Sequence, residues 1–306
     1  HRWSAGRMSA TNRTVFTGRV AVVTGAGSGI GRALARQLAA EGAFLALSDV
    51  DGTGLAETVA RVRDHGVAVR SDELDVTDRD RMMGYADSVA GEFGAVHTVI
   101  NNAGVVHGGD FLGMSFADIE RVLAVDFWGV VNGTKAFLPH LISSGDGTLV
   151  NISSLLGLLP MPGQSAYVAA KYAVRGFTET VRTEMLAAGH PVRVSCVHPG
   201  GVRTAIARHG TVNAGADPAG NSDYFDRKLA RMSPERAASI ILRGAARGRP
   251  RVLVGADAWA LHLAGTLSNR LWQRTVATAV GRRERAARRD RPADVVGRPT
   301  ATDGTR

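Results

Sequence analysis

Short β-branched or apolar runs alternate with longer amphipathic stretches along most of this chain. Arg19–Thr24 (RVAVVT) reads as a strand; a glycine-rich turn follows it, and Ile30–Glu41 has helical periodicity that stops at Gly42. Phe44–Ser48 is a second apolar run, ending in Asp49. The pattern then predicts a helix over Leu55–His65, a strand over Val67–Leu74, a helix over Asp78–Phe93 and a strand over Val96–Asn101. Beyond these it predicts a helix over Phe116–Leu141, a strand over Gly147–Ile152, a helix over Tyr167–Ala188 and a strand over Val192–Val197. Strands alternating with helices of this length argue for βαβ units, hence an α/β fold with a doubly wound parallel sheet. Such sheets bind ligands at the carboxyl ends of their strands.

The repeating pattern makes residues 18–255 a single domain. Within it, 205–233 is rich in Gly, Ala, Asn and Asp, is weakly periodic, and reads as a mobile lid. Residues 256–280 carry Trp259, Leu261, Leu263, Leu267, Leu271 and Trp272 and read as a C-terminal helical extension. Such a helix suits an anionic membrane surface, a cap over a substrate pocket or a partner subunit; packing is the preferred reading over peripheral membrane contact. Residues 1–17 read as a disordered tail, with His1–Arg7, ahead of Met8, left outside the fold. Residues 281–306 read as a basic disordered tail.

Charge changes this picture little once it is located. The formal net charge is +9, yet each tail (1–19 and 281–306) holds four more basic than acidic residues, leaving the body at about +1. A nucleic-acid reader carries its basic stripe on the folded surface, so no nucleic-acid partner is expected. No apolar stretch of about 18 residues is present, so no spanning helix is expected, and the N-terminus lacks the apolar core of a secretory signal. The single cysteine, Cys196, falls in an apolar strand as a core residue, and one cysteine fits a reducing, cytoplasmic setting. The nine histidines show no metal-ligand spacing, so no metal is expected. His107 and His198 fall near the expected cleft.

Thr24-Gly25-Ala26-Gly27-Ser28-Gly29-Ile30-Gly31 joins the first strand to the first helix. Glycines allow a sharp turn and close approach to a pyrophosphate, and the helix start offers free N–H groups and a favourable dipole. Asp49 ends the second strand, 24 residues after Gly25, where a carboxylate accepts both hydroxyls of an adenosine ribose and repels a 2′-phosphate. No Lys or Arg lies between Gly25 and Gly31, and Val50 and Asp51 stand where a phosphate-binding arginine would sit. These residues favour NAD over NADP.

Tyr167 and Lys171 are one helical turn apart and project from one face. A free tyrosine is a poor base at neutrality, but an adjacent ammonium, together with the positive ring of an oxidised nicotinamide, favours its phenolate and makes it a usable acid/base. Ser154, 13 residues upstream at a strand end, is placed to hydrogen-bond a reacting oxygen. The apolar Leu155–Pro162 segment (LLGLLPMP) that follows suits either a lipophilic substrate pocket or plain core packing.

At this point the chain resembles the short-chain dehydrogenases/reductases. Thr24–Gly31, Asn101-Asn102-Ala103-Gly104, Ser154, Tyr167-x-x-x-Lys171 and Pro199-Gly200 follow that family's order and spacing over about residues 18–255. The resemblance implies a Rossmann fold and a small-molecule alcohol/ketone substrate, interconverted by hydride transfer with NAD. It also implies a homodimer or homotetramer. Tyr167 would be the acid/base, Ser154 would orient the substrate oxygen, and Lys171 would bind the nicotinamide ribose and depress the tyrosine pKa. Asp75 and Val76 would flank the adenine, Asn102, Ala103 and Gly104 would shape the cofactor cleft, and Thr204, after Pro199-Gly200-Gly201-Val202, would meet the carboxamide. One position departs from the family: Asp126 stands where an asparagine usually holds a water in the proton relay to the lysine. An ionised Asp cannot donate a hydrogen bond, so a relay that needs the amide N–H would be lost. Two alternatives stand beside the NAD oxidoreductase: an NADP-preferring ketoreductase and a catalytically silent nucleotide-binding scaffold or sensor.

Overall fold

The apolar runs assemble into one parallel sheet, and a two-stranded pair lies apart from it. The computed structural model describes residues 14–204, 206, 210–214, 232–255, 258–259, 271–278 and 281–282. Most of the expected lid, much of the C-terminal extension and nearly all of both tails lie outside the described residues. The strands are β1 (Val20–Thr24), β2 (Phe44–Asp49), β3 (Val69–Glu73), β4 (Thr98–Asn101), β5 (His107–Gly108), β6 (Gly147–Ile152), β7 (Val192–Pro199), β8 (Thr211–Val212) and β9 (Arg251–Val254). The main sheet runs β3-β2-β1-β4-β6-β7-β9, all parallel, and β5 pairs with β8.

Two helical layers cover it, because β-strand side chains alternate between faces. In β2, Leu45 and Leu47 join the core under α1 (Gly29–Ala40), α2 (Gly52–Arg63) and α7 (Pro234–Ala246). Ala46 faces the other core, with Met82, Phe137, Leu141 and Leu149, under α3 (Arg79–Phe93), α5 (Gly129–Ser143) and α6 (Ser165–Ala187). Strand order reverses beside β1: the chain proceeds outward through β2 and β3, then returns to β4 on the opposite side. The carboxyl ends of β1 and β4 therefore frame a crevice, the usual ligand position in such sheets.

Several boundaries differ from the pattern, each for a local reason. Thr14–Thr17, read as tail, belong to the fold: Phe16 is buried in the core and the Thr17 hydroxyl donates to Glu41 O at 2.8 Å. The single helix expected over Phe116–Leu141 is interrupted. α4 (Phe116–Leu123) passes through a π-helical turn, Ala124–Trp128, before α5 begins. An inserted π turn leaves no periodicity signal, and such turns re-aim side chains at functional positions. α7 and β9 had no named counterpart, although Ser233 caps α7 through Arg236 N–H and Pro234 opens it. Those are readable start signals.

Candidate active site

α1 begins without a side-chain cap. Ser28 occupies the capping position, is exposed, and makes no capping hydrogen bond, and no acid sits in the first turn. By contrast Asp51, Asp78, Ser115 and Ser233 cap the starts of α2, α3, α4 and α7. The free N–H groups of Ser28–Gly31 therefore face the crevice as an anion-binding end.

The glycines are forced by space. Gly25 has φ +64°, and a Cβ there would lie 2.8 Å from Ala103 Cα. A Cβ on Gly31 would lie 2.0 Å from Gly25 O, and one on Gly27 would lie 2.8 Å from the Asp49 carboxylate. Gly29, at φ +51°, lies against Thr204, and Ile30 packs on the core beneath the turn. Asn102 and Ala103 clasp the turn. Both backbone N–H groups donate to Thr24 Oγ1, at 3.0 and 3.1 Å, and Asn102 Nδ2 donates to Thr24 O and Gly25 O at 3.0 and 3.1 Å. That ties β4 to the turn across the crevice.

Asp49 ends β2 with its carboxylate accepting from Gly27 N–H at 2.7 Å and Asp51 N–H at 2.9 Å. Two donors hold the charge at the rim of the turn, where a ribose diol would find it. Arg32, absent from the sequence reading, braces the turn from behind: its guanidinium donates to Gly27 O, Gly54 O and Thr58 Oγ1 and pairs with Glu57 at 3.0 Å. Two of these four partners are backbone carbonyls, which no sequence pattern reveals. Asp75 is exposed, while Val76 is buried beside Gly129 and its carbonyl accepts from Asn132 Nδ2. Pro199 ends β7, Gly200 N–H donates to Val254 O, and Val202 is buried in a bridge to Met232. Thr204 is nearly buried against Gly29, so the β7 loop meets the glycine turn.

Ser154, Tyr167, Lys171 and Asp126 converge next to this crevice. Ser154 follows β6, with its hydroxyl on the side of the Tyr167 phenol, where it favours the phenolate. Lys171, one turn along α6, is buried with Nζ 5.5 Å from the centre of the Tyr167 ring, and Nζ donates to Ile152 O at 3.3 Å. Gly157 must be a glycine, because a Cβ there would lie 2.7 Å from Lys171 O. The π-helical turn aims Asp126 inward, fully buried. Its Oδ1 accepts from Val105 N–H at 2.7 Å, and its Oδ2 lies 3.1 Å from Lys171 Nζ, at an angle short of a hydrogen bond. Gly104 covers this pair: a Cβ there would meet Asp126 Oδ1 at 3.4 Å and Lys171 Nζ at 3.5 Å.

Lys171 favours the Tyr167 phenolate, and burial opposes it. Burial pushes the Tyr167 phenol up; Lys171 and the Ser154 hydrogen bond pull it down, Asp126 pushes it up again, and the balance is upward. Burial opposes the Lys171 ammonium, but Asp126 and Tyr167 outweigh it and hold the lysine raised. Burial likewise raises Asp126, against the pull of Lys171 and the Val105 N–H.

His198 was placed near the cleft by sequence, and its role is structural. It is fully buried on β7, and Nδ1 donates to Ser154 O at 2.9 Å while Nε2 has no partner. Burial lowers its pKa to about 4, so the ring is neutral near pH 7 and steadies the backbone carrying Ser154. His107, the other candidate, is buried on β5 and bridges to Thr211 Oγ1 and Asn213 Oδ1 at 2.7 and 2.9 Å. Leu155, Leu158 and Leu159 form a buried cluster with Leu253 and Ala258; Trp272 packs on it and donates to Pro160 O at 3.1 Å. Core packing therefore holds much of that apolar segment, and part of the C-terminal extension docks on the domain. Among the described residues there is no group of side chains able to hold a metal ion, and no helix is long and apolar enough to cross a membrane.

The sequence model of the short chain dehydrogenase family matches residues 19–213. The chain belongs to the short-chain dehydrogenase/reductase family. Within that family it is similar to the putative oxidoreductase SadH of Mycobacterium tuberculosis, 56% identical over 267 residues, covering 87% of this chain and 97% of the relative. A short-chain dehydrogenase/reductase from Burkholderia phymatum, solved in complex with NAD, superposes with a TM-score of 0.78 at 32% identity, over 84% of this chain and 95% of the other. Carveol dehydrogenase from Mycobacterium avium, also solved with NAD, gives 0.70 at 25% identity, over 80% and 98%. As a short-chain dehydrogenase/reductase the protein is an oxidoreductase acting on a small molecule.

Proposed function

We propose that this protein is an NAD-dependent dehydrogenase/reductase that interconverts a lipophilic secondary alcohol and its ketone. The observation that carries the reading is the convergence of Ser154, Tyr167 and Lys171 beside a glycine turn whose helix start is left uncapped. NAD fits the residues present. The free N–H groups of α1 would take the pyrophosphate, the carboxylate of Asp49 the adenosine ribose, and Lys171 the nicotinamide ribose. Asp75 and Val76 would flank the adenine and Thr204 would meet the carboxamide. Two similar structures were solved with NAD, which supports this cofactor over NADP.

NAD supplies the hydride acceptor, or as NADH the donor, at the substrate carbon. The chain's own residues manage the oxygen. Ser154 holds it by hydrogen bonding, with His198 steadying the Ser154 backbone from behind. In the reductive direction the Tyr167 phenol gives its proton to the carbonyl oxygen; in the oxidative direction the phenolate removes the hydroxyl proton. Leu156 and Met161, partly exposed after Ser154, would offer an apolar wall to the substrate. The name of carveol dehydrogenase, an alcohol oxidoreductase, supports the alcohol/ketone class. A homodimer or homotetramer is supported by the large exposed side chains Phe116, Trp128 and Tyr172 near α4–α6.

The test is Tyr167→Phe, assayed by NADH absorbance against a panel of secondary alcohols and ketones. Turnover should fall by at least about 10³-fold, while NADH binding by fluorescence stays within about threefold of wild type. A variant retaining wild-type kcat would overturn the mechanism. Tight NADH binding by wild type, with no turnover of any panel member, would favour the silent scaffold.

A further inference from the structure

Asp126 is built into the catalytic core in a way that the acid/base chemistry does not require. It is fully buried in a π-helical turn and fixed from two sides, by Val105 N–H at 2.7 Å on Oδ1 and by Lys171 Nζ at 3.1 Å from Oδ2. Oδ1 accepts a hydrogen bond and Oδ2 faces an ammonium, so the geometry matches the ionised carboxylate. A buried carboxylate and ammonium at this distance form a pair whose net charge is zero, and a zero-charge pair stabilises a neighbouring anion far less than a lone ammonium does.

We propose that Asp126 neutralises Lys171 and thereby keeps Tyr167 in its phenol form through neutral pH, biasing the working enzyme toward carbonyl reduction and confining alcohol oxidation to alkaline pH. This rests on the oxidoreductase reading and deepens it. Asp126 acts through Lys171 and is a positioning residue. The overall equilibrium is unchanged; what moves is the pH at which each direction has its required tyrosine form. Reduction consumes the phenol proton: the Tyr167 O–H bond breaks and the proton joins the carbonyl oxygen, while NADH delivers the electron pair to the carbon as hydride. Oxidation needs the phenolate at the outset, and with the Lys171 charge cancelled by Asp126 that form stays costly.

The surrounding charges leave this balance in place. On α6 the groups facing Asp126 are Tyr167 and Lys171; on α4 the Arg121 guanidinium contributes a positive charge from farther off. From β7 the Cys196 thiol faces Lys171, and burial pushes it up to about 12, so it carries no charge near neutrality. Among the described residues, the β4 side contributes Gly104 and Val105, which are uncharged. The raised phenol of Tyr167, with Asp126 among its causes, agrees with the geometry.

The experiment is a tyrosinate absorbance titration of the protein without added cofactor, taking wild type minus Tyr167→Phe to isolate this phenol. It is repeated in the Asp126→Asn background. The wild-type midpoint should lie above that of a free tyrosine, and Asp126→Asn should lower it by at least about one pH unit. The alkaline limb of the alcohol-oxidation pH profile should shift by the same amount in the same direction. A wild-type midpoint below about pH 8, or an Asp126→Asn midpoint within about 0.3 unit of wild type, overturns the proposal. The wild-type titration stands even if Asp126→Asn fails to fold. Because it uses no cofactor or substrate, it separates failure here from failure of the oxidoreductase reading, which the turnover panel decides.

Discussion

Replacing Gly31 by alanine adds one methyl group, and the structure sets the size of the damage. The new Cβ would lie 2.0 Å from Gly25 O and 2.7 Å from Asn102 Nδ2, both well inside the ~3.5 Å at which carbon contacts become favourable. The Gly25 carbonyl must move by more than about 1 Å, and this breaks at least the Asn102 bond to Gly25 O. Overpacking of this kind costs about 1–3 kcal/mol, and each lost neutral hydrogen bond about 1 kcal/mol. Alanine's better helix propensity returns up to ~1 kcal/mol, because Gly31 is inside α1. The net destabilisation is about 2 kcal/mol. For a domain of this size that lowers Tm by ~4–8 °C in a thermal melt followed by circular dichroism. NADH affinity by fluorescence titration should fall at least about tenfold, because the displaced carbonyl reshapes the turn. Gly84→Ala is the control: it lies in α3 with nothing within 4 Å of its Cβ, so it should stabilise by ~0.5–1 kcal/mol. A Gly31→Ala protein melting within about 2 °C of wild type would refute the steric argument.

Asp49→Ala removes the carboxylate that accepts from Gly27 and Asp51 N–H, so NAD affinity should drop more than NADP affinity, narrowing the ratio by about tenfold or more. Paired fluorescence titrations check this, and an unchanged ratio would remove Asp49 from the ribose assignment. His198 makes stability depend on pH. Its folded pKa of about 4 lies below the ordinary histidine value, so its contribution is complete above about pH 6.5 and is lost as pH falls through 4. The full difference is on the order of 3 kcal/mol. His198→Gln, which keeps a donor for Ser154 O, should flatten the wild-type loss of stability between pH 6.5 and 4 in urea melts. A variant curve parallel to wild type would show that His198 is not the titrating group.

The glycine turn was legible in the sequence because Gly25, Gly27, Gly29 and Gly31 stand between a β-branched strand and an amphipathic helix, a purely local pattern. Asp49, Ser154 and the Tyr167–Lys171 pair were legible for the same reason, since each sits at a fixed offset from a strand end or along one helix turn. The parallel sheet followed from the alternation of periods alone. What escaped was whatever depends on partners distant in sequence. Asn102 also clasps Thr24 and Gly25, 78 and 77 positions away, which no local pattern shows. Arg32 donates to two backbone carbonyls, Gly27 O and Gly54 O, and His198 holds Ser154, 44 positions back. The π-helical turn at Ala124–Trp128 also escaped, because one inserted residue does not disturb a hydrophobic stripe enough to be seen.

By itself the sequence determined the fold class, the place of the glycine turn and the spacing of Tyr167 and Lys171 along one helix, since periodicity and spacing are properties of neighbouring residues. Only the tertiary structure decided what surrounds that pair. The pairing of Tyr167 with Lys171 predicts a depressed phenol, whereas burial and the carboxylate of Asp126, brought within 3.1 Å of Lys171, leave it raised. Desolvation and Coulomb energy depend on what surrounds a group in space, and a linear order of residues does not contain that information.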